Sequence, residues 1–251
     1  MRLLFPVCSF LLVNLGALFS SAAAEDPART EAPGMREISP GIFQLGDIRI
    51  DRARRTVSFP GKLNMDAGLL EYLLVTASGP THETLLTSEV QPADVHLAML
   101  LLGAKGAGIT TPAPEDAPPA QLNKEYLARA PKLKGDAISI TVSWQAGAER
   151  KSAPVEDWLM HPETRKPAAR GPWIYTGSMF REDRFLAQSD GTFAALVTYP
   201  AALINNPRSG NDNDAAWAVN EKAVPAKNTV IEIILQLAAS APAEEKPSST
   251  P

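Results

Sequence analysis

Cys8 is the only cysteine of the 251-residue chain, and it lies in the apolar N-terminal run LLFPVCSFLLVNLGALF. Arg2 precedes this run and SSAAAEDP follows it, with small residues at Ala22 and Ala24. This order is typical of a secretory signal peptide that is cleaved after Ala24. The mature chain would then contain no thiol, which excludes disulfides, iron–sulfur clusters and cysteine zinc sites. Such a chain must be held together by an apolar core, and its length is ample for one.

The same run approaches the length of a membrane anchor, which is the alternative interpretation. The small-residue cleavage site followed by the polar stretch EDPARTEAPG favours cleavage, so we expect a periplasmic or secreted protein without an integral membrane span. The chain carries 24 basic and 28 acidic side chains, and loss of Arg2 makes the mature balance one unit more acidic. Nucleic acid is therefore not an expected partner, because its binding requires a basic excess.

Composition divides the chain into a leader, a domain and two polar tails. Residues 1–24 form the predicted signal peptide, and residues 25–37 and 238–251 are rich in Ala, Pro and charge, which predicts disorder. A single domain is predicted for residues 38–237. Within it, residues 110–121 contain four prolines in TTPAPEDAPPAQ and predict an extended exposed loop.

The first half of the domain reads as short strands followed by a helix. Residues 47–51 and 56–61 alternate in polarity, and residues 69–77 form a nearly continuous apolar run that predicts a central strand with Glu71 as its only charge. Residues 82–88 are interpreted as the strand that returns after the turn Ser78-Gly79-Pro80. A helix is predicted from Pro92 to Gly103, and its apolar residues lie on almost every side, which indicates burial.

The second half is mostly β. Residues 138–144 and 229–237 predict strands, residues 173–177 predict a third, and residues 155–160 are interpreted as one helical turn. The dipeptide Asp190-Gly191 predicts a hairpin between two further strands. One substantial helix among about nine strands predicts an α+β fold, namely a mainly antiparallel β-sheet domain with one substantial buried helix.

Two histidines with acidic neighbours are the candidates for chemistry. His82 is followed by Glu83 and precedes a predicted strand, while His96 lies in the first turns of the predicted helix. A carboxylate on a central strand, as predicted for Glu71, needs a partner or a raised pKa. Two histidines and a carboxylate are a common zinc ligand set, whereas the plainer alternative places them as polar residues at the ends of elements.

Other motifs are weaker. The glycines of GAKGAG follow a helix instead of opening one, which argues against a phosphate loop. Ser178 lacks the flanking pattern of a nucleophilic serine and is interpreted as a turn residue. The segment NNPRSGNDNDAAW (205–217) fails the spacing of a calcium-binding loop and is interpreted as a polar loop. Trp173, Tyr175 and Trp217 are expected in the core.

The order of these elements resembles the YdjY-domain family of bacterial exported proteins. The shared motifs are V-x-F-P-G at residues 57–61, L-E-Y-L at 70–73, H-E-T-L-L at 82–86 and P-A-D-V-H-L-A-M-L-L-L-G at 92–103, followed by W-I-Y-T-G-S at 173–178. Some members of the family are described as ferredoxin-like, but the predicted mature chain has no cysteine to hold a cluster. The resemblance implies no particular reaction, and it singles out Glu71, His82, Glu83 and His96 as ligand-binding candidates.

Two functions remain open at this point. The first is a non-enzymatic ligand- or protein-binding module of the cell envelope, with an envelope protein or a small molecule as its partner. The alternative is a metal-dependent hydrolase-type enzyme that uses His82, His96 and Glu71 or Glu83. The two are distinguished by distance, since both imidazoles must lie about 2.1 Å from one ion. The sequence assigns no catalytic residue, metal or cofactor, and it offers no ligand set for electron transfer.

Overall fold

A computed structural model describes residues 34–106 and 133–238, which contain seventeen strands and two α-helices. The helices are α1 (Pro92–Leu101) and α2 (Leu186–Asp190), and short 3-10 turns span Thr81–Glu83 and Val155–Trp158. The strands are β1 (Met35–Ser39), β2 (Ile42–Leu45), β3 (Ile48–Asp51), β4 (Thr56–Leu63), β5 (Tyr72–Thr76), β6 (Thr84–Ser88), β7 (Asp136–Ala146), β8 (Glu149–Pro154), β9 (Leu159–His161), β10 (Lys166–Pro167), β11 (Trp173–Tyr175), β12 (Phe180–Arg181), β13 (Arg184–Phe185), β14 (Thr192–Ala195), β15 (Ile204–Asn205), β16 (Ala218–Val219) and β17 (Val230–Leu237).

Eight of these strands form a closed barrel. Their order is β4-β17-β7-β11-β15-β14-β5-β6, and β6 then pairs with β4 through Lys62 with Thr87 and Leu63 with Leu86. The predicted fold class, an α+β domain on a mainly antiparallel sheet, is therefore wrong, because the described chain is mostly β and its main sheet closes on itself. Alternation along a strand reports which side chains face inward, but it carries no information about whether the first and last strands meet.

Alternation does explain how the barrel is filled. Along β17 the side chains of Ile231, Ile233, Leu235 and Leu237 are buried, whereas the residues between them are more exposed. Neighbouring β4 and β7 contribute their alternate apolar residues to the same core, as the two-residue period of a strand requires. In a barrel of eight strands the interior is just wide enough for side chains to fill. The core is therefore a packed apolar interior and not a channel.

Two strand pairs of the barrel are parallel, β5 with β6 and β14 with β15, and two of the predicted hairpins are absent. β5 and β6 run in the same direction, with Tyr72 opposite Thr84 and Thr76 opposite Ser88, so β6 is not an antiparallel return. The predicted strand at residues 82–88 begins only at Thr84, because the preceding residues form a 3-10 turn. The predicted hairpin at Asp190-Gly191 is the end of α2, where Gly191 adopts a left-handed conformation (φ 66°). An Asp-Gly pair suits both a tight hairpin and a helix C-terminus, since both require a positive φ.

The helix α1 follows β6 and packs on the core with one side only. Val95, Ala98 and Met99 are fully buried, while three leucines on the opposite side are exposed, Leu97, Leu100 and Leu101. The prediction of a helix at this place is correct, but the prediction that it is buried holds for one side only. A helix that is apolar all round does not reveal from its sequence which side the fold covers.

Further strands extend the sheet beyond the barrel. β3, β2 and β1 continue outward from β4, and β8 pairs with the other side of β7, so that β1 and β8 are edge strands. β1 begins at Met35, inside the segment 25–37 for which disorder is predicted. Gly106 is the last residue of the first described stretch. It forms an isolated β-bridge with Gly135, near the start of the second described stretch.

An ion pair of low exposure ties the loops together at one end of the barrel. Arg208 Nη2 donates to Glu156 Oε1 over 2.7 Å, and their side chains are only 11% and 4% exposed. The same carboxylate oxygen accepts a bond from the indole nitrogen of Trp173, and the guanidinium lies over the Trp173 ring at 4.9 Å. Asn206 accepts from Arg208 as well. The segment interpreted from sequence as a plain polar loop is thus anchored in the protein interior.

Several sequence predictions lie outside the described residues. These are the signal peptide at residues 1–24, the part of the N-terminal segment before residue 34, the proline-rich loop at 110–121 and the tail from residue 239 onward. In the two described stretches, no helix combines the length and the apolar composition that crossing a membrane requires.

Removing the buried arginine should destabilise the protein strongly. We expect Arg208→Ala to lower the free energy of unfolding by about 3–5 kcal/mol, because Glu156 would remain as a buried carboxylate without its cation. Arg170→Ala is the matched control, since Arg170 pairs with the neighbouring Asp157 at the exposed surface and its loss should have little effect. Urea unfolding of the three proteins measures the difference, and equal effects of both variants would contradict the anchoring role.

Candidate functional site

Three of the four candidate residues lie together where β5 and β6 begin. Glu71 precedes β5, and its backbone N–H donates to the carbonyl of Glu83 over 3.0 Å. His82 Nε2 lies 3.6 Å from a carboxylate oxygen of Glu83, and the His82 side chain is 79% exposed. Burial raises the pKa of Glu71, and the negative charges of Glu83 and Asp214 raise it further, whereas His82 lowers it. Asp214 lies in the Asn- and Asp-rich segment that sequence reasoning set aside.

The charge state of Glu71 is set by its surroundings. Its raised pKa reflects burial first and repulsion from the carboxylates of Glu83 and Asp214 second, and protonation of Glu71 relieves both. In residues 34–106 and 133–238, no three His, Cys, Asp or Glu side chains are grouped closely enough to hold a metal ion. The geometry of the cluster therefore does not supply the ligand set that the sequence suggested.

His96 lies elsewhere, on α1 against β11. The hydroxyl of Tyr175 and His96 Nδ1 share a hydrogen bond of 2.6 Å, in which the tyrosine donates when the imidazole proton is on Nε2. Burial lowers the pKa of His96 and raises the pKa of Tyr175, so both rings stay uncharged at neutral pH. The Phe185 ring packs on the imidazole with centroids 4.9 Å apart. The contacts make His96 a link between helix and barrel.

The two histidines are at opposite ends of the barrel. His82 lies just before β6 begins, and His96 lies in the helix that follows its end, with five extended residues between. A strand of this length covers about 17 Å at 3.3–3.4 Å per residue, which is far more than two ligands of one ion allow. The structure brings Glu71, His82 and Glu83 together and does not bring His96 to them.

The Ser178 hydroxyl is fully engaged in the fold. It donates to the carbonyl oxygen of Ala201 and accepts from the backbone N–H of Ala187. Gly177 and Ser178 both have positive φ, 79° and 62°, and together they form the tight turn that follows β11. A hydroxyl used twice in this way positions backbone, which agrees with its interpretation as a turn residue.

An apolar surface on α1 and β1 is the feature that sequence reasoning missed. Eight large apolar residues are exposed in the described chain, and four of them are Met35 on β1 and the three leucines of α1. We name this set, together with the half-buried Phe43, the α1–β1 surface. Its members are Met35, Phe43, Leu97, Leu100 and Leu101. Met35, Phe43 and Leu101 line a shallow groove of about 130 Å³ beside Arg52. The only sequence signal was that α1 has more apolar residues than one buried side needs.

The position of His96 predicts a pH dependence of stability. The unfolded chain protonates His96 near its ordinary pKa of about 6.5, while the folded state keeps it neutral to lower pH. The unfolded state thus binds more protons below this pH, so acidification from about pH 7.5 to about 5.5 should lower the free energy of unfolding. Over this range the loss can reach about 1.4 kcal/mol, because pH 5.5 lies one unit below the ordinary pKa of about 6.5.

Chemical denaturation across this range measures the effect. His96→Gln should flatten the dependence, whereas His82→Gln, at a side chain that is mostly exposed, should leave it unchanged. Burial raises the pKa values of Glu71 and Asp94 in the folded state, so these two carboxyl groups act in the opposite direction and make the observed dependence shallower. An unchanged slope in His96→Gln would show that His96 is not the group responsible.

Comparison with known proteins gives the family of this chain. No curated protein and no solved structure matches the chain. The family described as YdjY domain matches residues 48–236, which begin with the first residue of β3 and end within β17. The match thus contains every strand of the barrel and α1, together with the four candidate residues, and it covers well over half of the sequence. The chain belongs to the YdjY domain family.

Proposed function

We propose that this YdjY domain is an exported, non-enzymatic protein-binding module of the cell envelope, and that the α1–β1 surface is its docking face. The observation that carries the proposal is the exposure of Leu97, Leu100 and Leu101, between 39% and 47%, on one side of a helix whose other side is buried. Contiguous apolar residues at a surface mark sites of interaction in soluble proteins.

The spacing of these leucines suits a partner that packs along the helix. Residues three and four apart lie on the same face of an α-helix, so Leu97, Leu100 and Leu101 form one ridge. Full burial of a leucine stabilises by about 1.5–3 kcal/mol. Because these three side chains are between 39% and 47% exposed, a partner that covers them gains somewhat less than half of that free energy for each leucine. The groove beside Leu101 continues the apolar surface onto the sheet.

The engagement of the other candidate residues also supports a binding role. His96 Nδ1 is bonded to Tyr175, and the Ser178 hydroxyl is bonded twice to backbone. These groups position α1 and the turn after β11, which is a structural task. The cluster of Glu71, His82 and Glu83 lies at the other end of the barrel from α1, so the α1–β1 surface does not depend on it.

Export should be visible in the mature N-terminus. Cleavage after Ala24 predicts that the protein isolated from the envelope or the medium begins at Glu25, because Ala22 and Ala24 occupy the positions that signal peptidase reads. Intact-mass spectrometry of fractionated cells measures this directly. Ala22→Arg should block processing and leave the uncleaved chain with the membrane. A cytoplasmic protein that begins at Met1 would contradict export.

Site-specific photo-cross-linking in living cells tests the docking face. A photoreactive residue at Leu97 or Leu100 should yield a discrete cross-linked protein, whereas the same residue at Leu69, equally exposed on another part of the molecule, should not. A second change, Leu101→Asp, should reduce the yield about tenfold, since a charge in the contact costs at least about 1.4 kcal/mol of binding. Equal labelling from Leu69 and Leu97, or no discrete product from either helix position, would refute the proposal.

A further inference from the structure

A turn that carries three arginines borders the α1–β1 surface. Residues 52–55 join β3 to β4 and contain Arg52, Arg54 and Arg55, and we name them the arginine turn. Arg52 lines the apolar groove of the α1–β1 surface, and its guanidinium lies over the Phe43 ring, 5.7 Å from the centroid. The docking face therefore has a cation at its rim, packed against its apolar floor.

The positive charge of this turn is only partly balanced. Asp51 accepts the backbone N–H of Arg54 over 2.9 Å, and the Arg54 Nε lies 4.0 Å from the same carboxylate. Among the residues that the structure describes, Arg52 and Arg55 belong to no ion pair, and the buried Nε of Arg55 has no hydrogen-bond partner. Three arginines against one aspartate leave two positive charges here, in a chain whose net charge is −4.

The carboxylates of the surrounding elements are engaged with backbone groups. Glu37 on β1 accepts the N–H of Gly41, and Asp136 at the start of β7 accepts the N–H of Lys105, each over 2.8 Å. Within the two described stretches, neither carboxylate lies within ion-pair distance of the arginine turn. A partner that brings a carboxylate to Arg52 therefore gains a charge-assisted hydrogen bond that the fold itself does not supply.

The ends of the chain do not match this surface. Residues 25–33 and 239–251, which lie outside the described stretches, contain no large apolar side chain, so neither can cover the leucines of α1. A second copy would bring the same arginines to the same contact, because a two-fold interface joins identical surfaces, and like charges repel there. These properties favour a different protein as the occupant.

The shape of the surface favours a protein segment over a membrane. Met35 and Phe43 from the sheet and Leu101 from α1 form two sides of a groove of about 130 Å³. A protein side chain can enter a groove of this size, whereas a flat lipid surface covers only its rim. The net charge of the chain, −4, also opposes binding to anionic lipids.

We infer that the partner of the α1–β1 surface presents an acidic amphipathic segment, whose apolar side packs on the leucines of α1 and whose carboxylates face the arginine turn. Such a partner rests on the docking role proposed above, to which it adds the sign of the charge. Arg52 and Leu101 line the same groove, so the carboxylates belong beside the residue that covers Leu101. Pairs of guanidinium and carboxylate are directional and fix the orientation of the bound segment.

Two synthetic peptides with the same leucines test the sign of the charge. Both carry leucines at helical spacing, with glutamate at every other position in one peptide and lysine in the other. Each is labelled and titrated with the complete mature protein, and fluorescence anisotropy gives the dissociation constants. The glutamate peptide should bind at least about tenfold more tightly, and its binding should weaken when salt is raised from about 50 to about 500 mM, since salt screens exposed charges. Vesicles with about one third anionic lipid are sedimented with the protein in parallel.

Reversal of one charge makes the assignment specific. Arg52→Glu should weaken binding of the glutamate peptide about tenfold and strengthen binding of the lysine peptide, a gain that loss of folding cannot produce. Arg49→Glu is the matched control and should change neither affinity, because Arg49 precedes Ile50 on β3 and faces the opposite side of the sheet from the groove that Ile50 lines. Leu101→Ser removes apolar contact without adding charge and should weaken both peptides.

The outcomes distinguish the charge of the partner from the docking face itself. Equal affinities for the two peptides, both reduced by Leu101→Ser, would leave the docking face in place and overturn the acidic partner. The acidic partner is also overturned if neither peptide binds, if Arg52→Glu leaves the affinity for the glutamate peptide unchanged, or if anionic vesicles bind in place of that peptide. The photo-cross-linking experiment described above judges the docking face independently of these peptides.

Discussion

The structure depends on the pairing of β4 with β6, which joins the two ends of the sheet. Only two residue pairs make this junction, Lys62 with Thr87 and Leu63 with Leu86, yet they convert eight strands into a ring. Closure removes the free edges that β4 and β6 would otherwise present and seals the apolar interior from water. Without a disulfide in the predicted mature chain, this interior is the main source of stability.

The two ends of the ring are closed by different means. At one end α1 places Val95, Ala98 and Met99 on the core, and the bond between His96 and Tyr175 fixes the helix. The other end is held by polar contacts around Arg208, which is bonded to Glu156 as well as to two carbonyl oxygens, of Ala169 and Gly171, in the loop between β10 and β11. The apolar end leaves three leucines of one helix on the surface, and the docking face that we propose lies there.

Local sequence patterns predicted the strands better than they predicted the sheet. The alternation in β7 and β17 depends only on which side of each strand is buried, and both strands were found at the predicted places. Ring closure and the parallel pairing of β5 with β6 are contacts between distant segments, to which no local pattern refers. The prediction that α1 is buried holds for one side only, because apolar residues lie all round this helix and its sequence does not indicate which side packs on the core.

The candidate site was foreseen only in part for the same reason. The motif residues Glu71 and Glu83 do meet, but His96 is one strand length away from His82. The residue types alone carry no information about such a separation in space. The pair of Glu156 and Arg208 is 52 positions apart in the chain and has no sequence signature. Membership of the YdjY domain family was visible from the order of the motifs, since that order is a property of the whole chain.

The bridge between Gly106 and Gly135 has a consequence for how such chains can diverge. A Cβ atom at position 135 would lie 2.0 Å from the Tyr175 carbonyl oxygen, and one at position 106 would lie 2.7 Å from Gly177, so both positions require glycine. The two glycines hold the exit and the return of the chain together at the wall of the barrel. The entropy of closing a loop grows only slowly with its length. Relatives should therefore differ freely in the number of residues inserted here, while the two glycines that delimit the insertion persist.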